Sequence, residues 1–220
     1  MPAGQMGHRA AYSGFAYVAL LMVAGTIGPA DGIPSASASP QEIGAYIHGH
    51  APTALEWAGV YLEVVALLAL VVFVVSLWRL LAEADRDGWL PGIALGGGLL
   101  SAALKLGSLP TACAALYRAH EISPGVAAAL IDMNTAAFVL TWATFALMLG
   151  ATGIVGLRTG ALTGWLGWFA IGTAVALMGS IPVATSDPPT FMLALIWIIA
   201  AGVALVRRGD RVAAAAPATA

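Results

Sequence analysis

One apolar stretch constrains this chain more than any other feature, and it runs from residue 54 to residue 81 with the sequence ALEWAGVYLEVVALLALVVFVVSLWRLL. A transmembrane helix needs about 20 mostly apolar residues to cross a hydrocarbon layer roughly 30 Å thick, and this stretch is longer. It nevertheless contains two carboxylates, Glu56 and Glu63. Since seven residues make almost two helical turns, both lie on one face. The stretch therefore predicts a membrane helix with a polar site near its first turns.

The composition fits a membrane protein and excludes other classes. Hydrophobic residues make up 60% of the chain, charged residues only 9%, and the mean hydropathy is +0.89, whereas a soluble domain carries about 25% charged residues. A net charge of −2 argues against nucleic-acid binding, which needs clustered Lys and Arg. With Cys113 as the single cysteine, neither an intrachain disulfide nor a multi-cysteine metal site is possible. We expect no cofactor and no metal.

Hydropathy predicts an all-α, polytopic membrane protein with a single bundle of six transmembrane helices. The predicted spans are residues 10–29, 54–81, 90–117, 126–155, 161–182 and 190–206. The first is too long for the apolar region of a signal peptide, and the small residues Ala36 to Ala38 lie too far beyond it for a cleavage site. Residues 1–206 thus form one transmembrane domain, and the Ala-rich residues 207–220 are expected to be a disordered cytoplasmic tail.

A short amphipathic helix is predicted in the first outer loop. Ser39, Pro40 and Glu42 have the pattern of a capping box with proline in the first helical position. Apolar residues then recur at helical spacing, so this helix is expected to lie on the membrane surface. His48 and His50, with Glu42 nearby, allow a metal site as one interpretation and a solvated histidine pair as the other, and the latter is preferred.

The arginines predict the orientation of the six spans. Arg118 falls on one side, and all other arginines fall on the opposite side, at positions 9, 79, 86, 158, 207, 208 and 211. Positive charge accumulates in cytoplasmic loops. Both termini are therefore expected in the cytoplasm.

Small residues and one proline mark the places where helices are expected to approach or bend. Gly96 to Gly98 permit close backbone contact between membrane helices, and Gly160 and Gly164 have the GxxxG spacing of such contacts. Pro110 removes one backbone hydrogen bond within the third span.

Charged residues fall at compatible depths in three neighbouring spans. Glu63 lies about 13 Å below the outer end of its span, Asp132 about 9 Å, and Lys105, the only lysine, about 18 Å with a stem that can extend outward. We expect these three side chains to converge in the outer half of the bundle. One interpretation is a structural ion pair of Lys105 with either Glu63 or Asp132 that fixes helix register. Because one lysine cannot neutralise Glu56, Glu63 and Asp132 together, the other interpretation is a protonated carboxylic acid that is available for catalysis.

Further polar and aromatic residues surround this predicted cluster and are candidates for substrate binding. They are Glu56, Trp57, Tyr61, Ser101, Ser108, Asn134, Phe138, Thr141 and Trp142. The aromatic members are large enough to line an apolar cavity, while Glu56 is the weakest member because it can reach the headgroup region.

Three segments carry a resemblance to a known group of proteins: PQEIGAYIHGH, WAGVYLEVVALLALVVFVVSLWRLL and IDMNTAAFVL. With them the chain resembles small six-helix actinobacterial membrane proteins of unknown function. The resemblance implies a bacterial plasma membrane, and it assigns no catalytic residues to this chain. In size and in its intramembrane acids it is also similar to the integral-membrane terpene cyclases, an analogy that no motif supports.

Three functions remain open at this point. The preferred one is an enzyme acting on a lipophilic, isoprenoid-like substrate by acid–base chemistry of the cyclase or isomerase type, with Glu63, Asp132 and Lys105 as catalytic residues. The alternative is a proton-coupled small-molecule permease. The third is a non-catalytic partner subunit or sensor. The expected partners are the lipid bilayer, a lipophilic small molecule and, in a homodimer, a second copy of the chain.

Overall fold

The computed structural model describes residues 3–27, 38–183 and 190–215. Within these ranges the chain is all-α, as predicted, with seven α-helices and a short 3-10 turn at Ile181–Val183. The helices are α1 (Ala3–Thr26), α2 (Pro40–Gly49), α3 (Ala54–Ala84), α4 (Leu90–Tyr117), α5 (Pro124–Thr159), α6 (Gly164–Ser180) and α7 (Thr190–Ala215). Residues 28–37, which include Ala36 and Ser37 of the considered cleavage site, lie outside the described residues.

Local sequence signals explain where several helices begin and end. Ser39 and Glu42 form the predicted capping box, in which each side chain bonds to the backbone N–H of the other residue. Thr53 and Glu56 form a second capping box at the start of α3. Gly160 ends α5 with a φ of 69°, a left-handed conformation that favours glycine. The helix boundaries therefore follow from residues next to them in the sequence.

Six helices form a closed ring in which each helix packs on two neighbours. The order around the ring is α1, α3, α4, α5, α6, α7 and back to α1, and α3 also contacts α5 across the ring. A continuous core of buried apolar residues fills the ring, and its largest members include Phe73, Trp142, Phe145, Leu149 and Trp197. Close packing of such side chains supplies the dispersion contacts that hold apolar helices together on the inner side of the bundle.

Four helices are long and apolar enough to cross a membrane: α3, α4, α5 and the Thr190–Arg207 part of α7. The apolar helix α6 is shorter, with 17 residues, and α1 is not among the four. A helical bundle with several apolar helices is compatible with a membrane protein. The six predicted spans and their orientation are a finer statement than these four helices support.

Glycines bring the backbones of neighbouring helices close together. The contact predicted at Gly96 to Gly98 is present, and the one predicted at Gly160 and Gly164 is not found within the described part of the bundle. A Cβ on Gly97 would lie 2.7 Å from the Thr144 carbonyl oxygen, so α4 and α5 are in close backbone contact there. Gly160 and Gly164 make no such contact among the described residues, because Gly164 faces open space and Gly160 is a helix cap. The close α5–α6 contact is instead made by Gly153, whose Cβ would lie 2.7 Å from the Gly167 carbonyl oxygen.

The surroundings of α2 and the length of α7 differ from the predictions. Helix α2 packs on the ends of α4 and α5, where Ile43 and Ile47 are buried against Ala115, Ala127 and Ile131. Its apolar face is thus covered by protein rather than lying on a lipid surface. Helix α7 continues to Ala215, so residues 207–215 are helical and not part of a disordered tail. The rest of the predicted tail, residues 216–220, lies outside the described residues.

Candidate functional site

Two adjoining cavities lie between the helices of the ring. The larger, of about 560 Å³, is lined by residues of α1, α3, α4, α5 and α7, and the smaller, of about 270 Å³, by residues of α1, α3, α4, α5 and the segment before α3. We call them the larger lobe and the smaller lobe of one chamber. They share five lining residues, which are Leu21, Gly25, Glu63, Lys105 and Asn134. Ligand pockets in proteins have volumes of about 300–1,000 Å³, so the chamber is large enough for a small molecule.

An ion pair lies where the two lobes meet. The Lys105 Nζ atom is 3.3 Å from Glu63 Oε1, and the two side chains are 15% and 21% exposed. Lys105 Nζ also lies 5.3 Å from the centre of the Phe138 ring, within the range of a cation–π interaction. Glu63 on α3 and Lys105 on α4 therefore meet as the sequence predicted, and an aromatic ring of α5 completes the contact.

Hydrogen bonds fix α4 against α5 beside this pair. The single proton of the Ser108 hydroxyl has two acceptors, the Lys105 carbonyl oxygen at 3.0 Å and the Asn134 side-chain oxygen at 3.1 Å. The Ser101 hydroxyl donates to the Thr141 carbonyl oxygen at 3.3 Å. The Asn134 side-chain nitrogen has no hydrogen bond to another described residue. Because Asn134 lines both lobes, this N–H₂ group is available to a molecule in the chamber.

The predicted convergence of Asp132 with Glu63 and Lys105 is wrong. The Asp132 side chain is exposed and does not line either lobe. Residues two apart on a helix point about 200° away from each other, so the helix that directs Asn134 inward directs Asp132 outward. The described residues hold one ion pair at this site, and not the buried acid–base cluster that was expected.

Glu56 has structural partners that explain its presence near the start of α3. Its carboxylate accepts a hydrogen bond from the Thr53 backbone N–H at 2.7 Å and lies 3.0 Å from His50 Nε2. It also lines the smaller lobe. The second histidine considered for a metal site, His48, contacts the Ile122 carbonyl oxygen at 3.1 Å through Nε2. The two histidines thus contact different partners.

The other predicted binding residues divide into two groups. Ser101, Asn134, Phe138 and Thr141 line the larger lobe, and Trp57 lines the smaller lobe. Tyr61, Ser108 and Trp142 line neither. Tyr61 is 69% exposed, since it lies two residues from Glu63 and hence on another face of α3. Trp142 is 1% exposed and packs edge-on against Phe138 within the core.

Sequence reasoning missed the walls that α1 and α7 contribute. Tyr17, Leu21, Met22, Phe191 and Met192 line the larger lobe, and Cys113 of α4 lines the smaller one. The spacing of Tyr17, Leu21 and Gly25 by four residues shows that they share one face of α1. That periodicity was visible in the sequence, but nothing in it indicates which other helix this face meets.

The chamber is suited to holding an amphiphilic molecule. Its walls are mostly apolar, and its charged and hydrogen-bonding groups are gathered where the lobes meet. Apolar walls with a few well-placed polar groups are typical of small-molecule sites. No protein-family model matches this chain, and neither a curated protein nor a solved structure shows significant similarity to it.

Proposed function

We propose that this chain is a multi-pass membrane protein with six spans and both termini in the cytoplasm. The four long apolar helices support the membrane setting, and α1 and α6 complete the ring with them. Arg79, Arg158 and Arg207 lie toward the ends of helices that would all face the cytoplasm, in keeping with the distribution of positive charge in membrane proteins. In this orientation α2 and the chamber lie in the outer half of the bundle.

We further propose that the protein binds a lipophilic, isoprenoid-like small molecule in the chamber. The observation that carries this proposal is the meeting of two largely apolar cavities at the Lys105–Glu63 pair. A hydrocarbon body fits the apolar walls of the larger lobe, and a polar group fits beside the pair and the amide of Asn134. Because such a ligand is already dissolved in the hydrocarbon of the bilayer, its affinity comes from packing against the walls and from the polar contacts rather than from removal of apolar surface from water.

An acid–base step on the bound molecule is a second candidate function. It is favoured by the carboxylate of Glu63 and the ammonium of Lys105 facing the same chamber only 3.3 Å apart. In this role Lys105 donates a proton to a C=C bond of the ligand, the resulting carbocation cyclises or shifts its double bond, and Glu63 removes a proton from a neighbouring carbon. The net reaction is an isomerisation, and the proton returns from Glu63 to Lys105 across the 3.3 Å contact. Asp132 takes no part in this step because its side chain is exposed. The Glu56 carboxylate already contacts the Thr53 backbone N–H and His50, so the expected excess of unpaired carboxylates around Lys105 is not found among the described residues.

The permease alternative has less support. On the side of the chamber toward the C-terminal half of α3, the side chains of Phe73, Val74 and Leu77 are at most 1% exposed and pack into the core with Phe145 and Met148. A transported molecule would have to part this core. Substrate flux in proteoliposomes that depends on a pH gradient would restore this alternative.

Cys113 allows a direct test of ligand binding. It is the single cysteine of the chain, it is partly exposed, and it lines the smaller lobe. In nanodiscs, a C15 isoprenoid alcohol should slow the reaction of Cys113 with N-ethylmaleimide at least fivefold in a saturable manner, as measured by intact-mass spectrometry. The ratio of rates with and without the alcohol measures protection within each variant.

Two glycine variants provide the matched controls for this test. Gly25 lines both lobes and Gly172 lines neither, and a Cβ at either position would meet no atom within 4 Å. Gly25→Leu should fill the chamber and abolish protection, whereas Gly172→Leu and Asp132→Asn should retain it. Protection that does not saturate, or that is equal in Gly25→Leu and the wild type, would contradict the proposed binding site.

The catalytic candidate is tested separately. Incubation of the protein with the C15 alcohol, followed by gas chromatography and mass spectrometry, should reveal a rearranged product if an acid–base step occurs. Because a positioned acid or base contributes about 10²–10⁴-fold, Glu63→Gln should lower the rate of product formation by that factor, and Asp132→Asn should not. Binding without any product would support the binding function and contradict the catalytic one.

A further inference from the structure

We propose that the ligand of this chamber carries an uncharged head group that both donates and accepts hydrogen bonds, as in a long-chain alcohol. The inference rests on the proposed binding function and specifies the class of ligand. It follows from the juxtaposition of one compensated ion pair, one available amide and otherwise apolar walls around the meeting point of the two lobes.

The charges that line the chamber balance each other at the point where the lobes meet. Lys105 and Glu63 form a one-to-one pair there. The other ionisable pair of the lining, Glu56 with His50, lies at the start of α3 in the smaller lobe. An uncharged ligand leaves this balance unchanged, whereas a charged one adds an unpaired charge in a region of low dielectric, which is strongly unfavourable.

An anionic head group is disfavoured in particular. It would compete with Glu63 for Lys105, the single positively charged Lys or Arg side chain among the described lining residues. The Glu63 carboxylate would then lose its partner while remaining largely buried. The carboxylate of Glu56 adds a second negative charge to the lining. A phosphate or diphosphate, which proteins usually bind through several cationic or backbone donors, lacks such a set here.

The hydrogen-bonding groups match a hydroxyl. The Asn134 side-chain oxygen already accepts from Ser108, so its N–H₂ group is the part left to donate to a ligand. The Glu63 carboxylate is an acceptor with more lone pairs than the single contact to Lys105 uses. A hydroxyl accepts from the first and donates to the second, whereas an ether or ketone can only accept.

Three ligands that differ only in the head group test this inference. They are a C15 isoprenoid alcohol, the carboxylic acid and the primary amine with the same chain, each measured at pH 7 by protection of Cys113 in nanodiscs. Concentrations are corrected for the fraction of each compound in the membrane, and non-specific protection is subtracted with Gly25→Leu. For the wild type we expect the alcohol to bind at least tenfold more tightly than the acid or the amine.

Charge variants should then reverse the preference. Glu63→Gln leaves Lys105 uncompensated, so the acid should become the tightest of the three ligands. Lys105→Met leaves Glu63 uncompensated, so the amine should become the tightest. The double variant Glu63→Gln/Lys105→Met has no charge at the meeting point and should again prefer the alcohol. Replacing both members of a buried pair is often neutral for stability, so the double variant remains informative if a single variant does not fold.

The possible outcomes separate this inference from the binding proposal. Tighter binding of the acid or the amine to the wild type would overturn the inference while leaving the chamber as a binding site. An unchanged order of preference in folded Glu63→Gln or Lys105→Met would also overturn it. If none of the three ligands protects Cys113, the proposed binding function itself fails.

Discussion

The contact between α4 and α5 at Gly97 gives the sharpest test of the fold, since a single methyl group should separate two helices. A Cβ on Gly97 would lie 2.7 Å from the Thr144 carbonyl oxygen and 2.8 Å from the Met148 backbone nitrogen. Ordinary van der Waals contact begins at 3.4 Å, so the helices would have to move apart by about 0.7 Å. Backbone atoms within a helix cannot rotate away as a side chain can.

The neighbouring residue supplies a matched control. A Cβ on Gly96 would meet no atom within 4 Å. Both Gly96→Ala and Gly97→Ala gain the same helix propensity, about 1 kcal/mol, so the difference between them isolates the steric cost. Overpacking of a well-packed interior costs about 1–3 kcal/mol. We therefore expect Gly97→Ala to be less stable than Gly96→Ala by that amount.

Thermal unfolding in detergent measures this difference. For a chain of this size 1 kcal/mol shifts the melting temperature by about 2–4 °C, so the two variants should differ by about 2–12 °C at a fixed scan rate. The chamber should change as well, because Ser101 lies one turn from Gly97 and its hydrogen bond to Thr141 spans the same interface. Equal melting temperatures for the two variants would refute the close α4–α5 contact and the register that it imposes on the chamber.

Two further predictions concern a helix cap and a buried tryptophan. The Ser39 backbone N–H donates to the Glu42 carboxylate and lowers the pKa of this carboxyl below its ordinary value of 4.5. The cap therefore stabilises α2 fully at pH values above 4.5, and this stabilisation is lost as the pH falls through the lowered pKa of the folded protein. The hydrogen-exchange protection factors of α2 should therefore fall in acid, and Glu42→Gln, which retains the hydrogen bond, should remove that dependence. Trp197 donates to the Leu166 carbonyl oxygen at 3.1 Å, whereas the buried indole nitrogen of Trp142 has no partner among the described residues. Trp197→Phe should thus lower the stability by about 1–2 kcal/mol more than Trp142→Phe, and equal melting temperatures would contradict this reasoning.

The sequence was sufficient for those features that depend on near neighbours. The capping box at Ser39 and the helical bounds of Leu90–Tyr117 follow from local patterns. The sequence also predicted that Lys105 pairs with a carboxylate of a neighbouring helix, because a lone lysine within an apolar helix requires a partner, but it left Glu63 and Asp132 open as that partner. Thr53 and Glu56 have the same capping-box pattern as Ser39 and Glu42, so the structural role of Glu56 could have been recognised in advance.

The prediction for Asp132 was wrong because it considered how deep the residue lies along its helix but not on which face of the helix it lies. Asp132 lies at a compatible depth with Lys105 but on the opposite face of α5 from Asn134 and Thr141. Helical periodicity alone could have excluded it. The walls from α1 and α7 are a different matter, because the order of helices around the ring depends on side-chain packing among all six. Tyr17 and Phe191 meet across one cavity although they are far apart in the sequence.

The surroundings of the Lys105–Glu63 pair distinguish an ion pair that only fixes helix register from one that belongs to a binding site. A pair that only fixes helix register is best enclosed by packed side chains, since voids deprive their walls of dispersion contacts. Here the pair carries the desolvation cost of two charges and also borders two cavities that share five lining residues. A bundle selected for packing alone could replace both residues by apolar ones and close the space. A molecule that fills the chamber and bonds to its polar groups explains why the desolvation of two charges and the lost packing around two cavities occur at the same place.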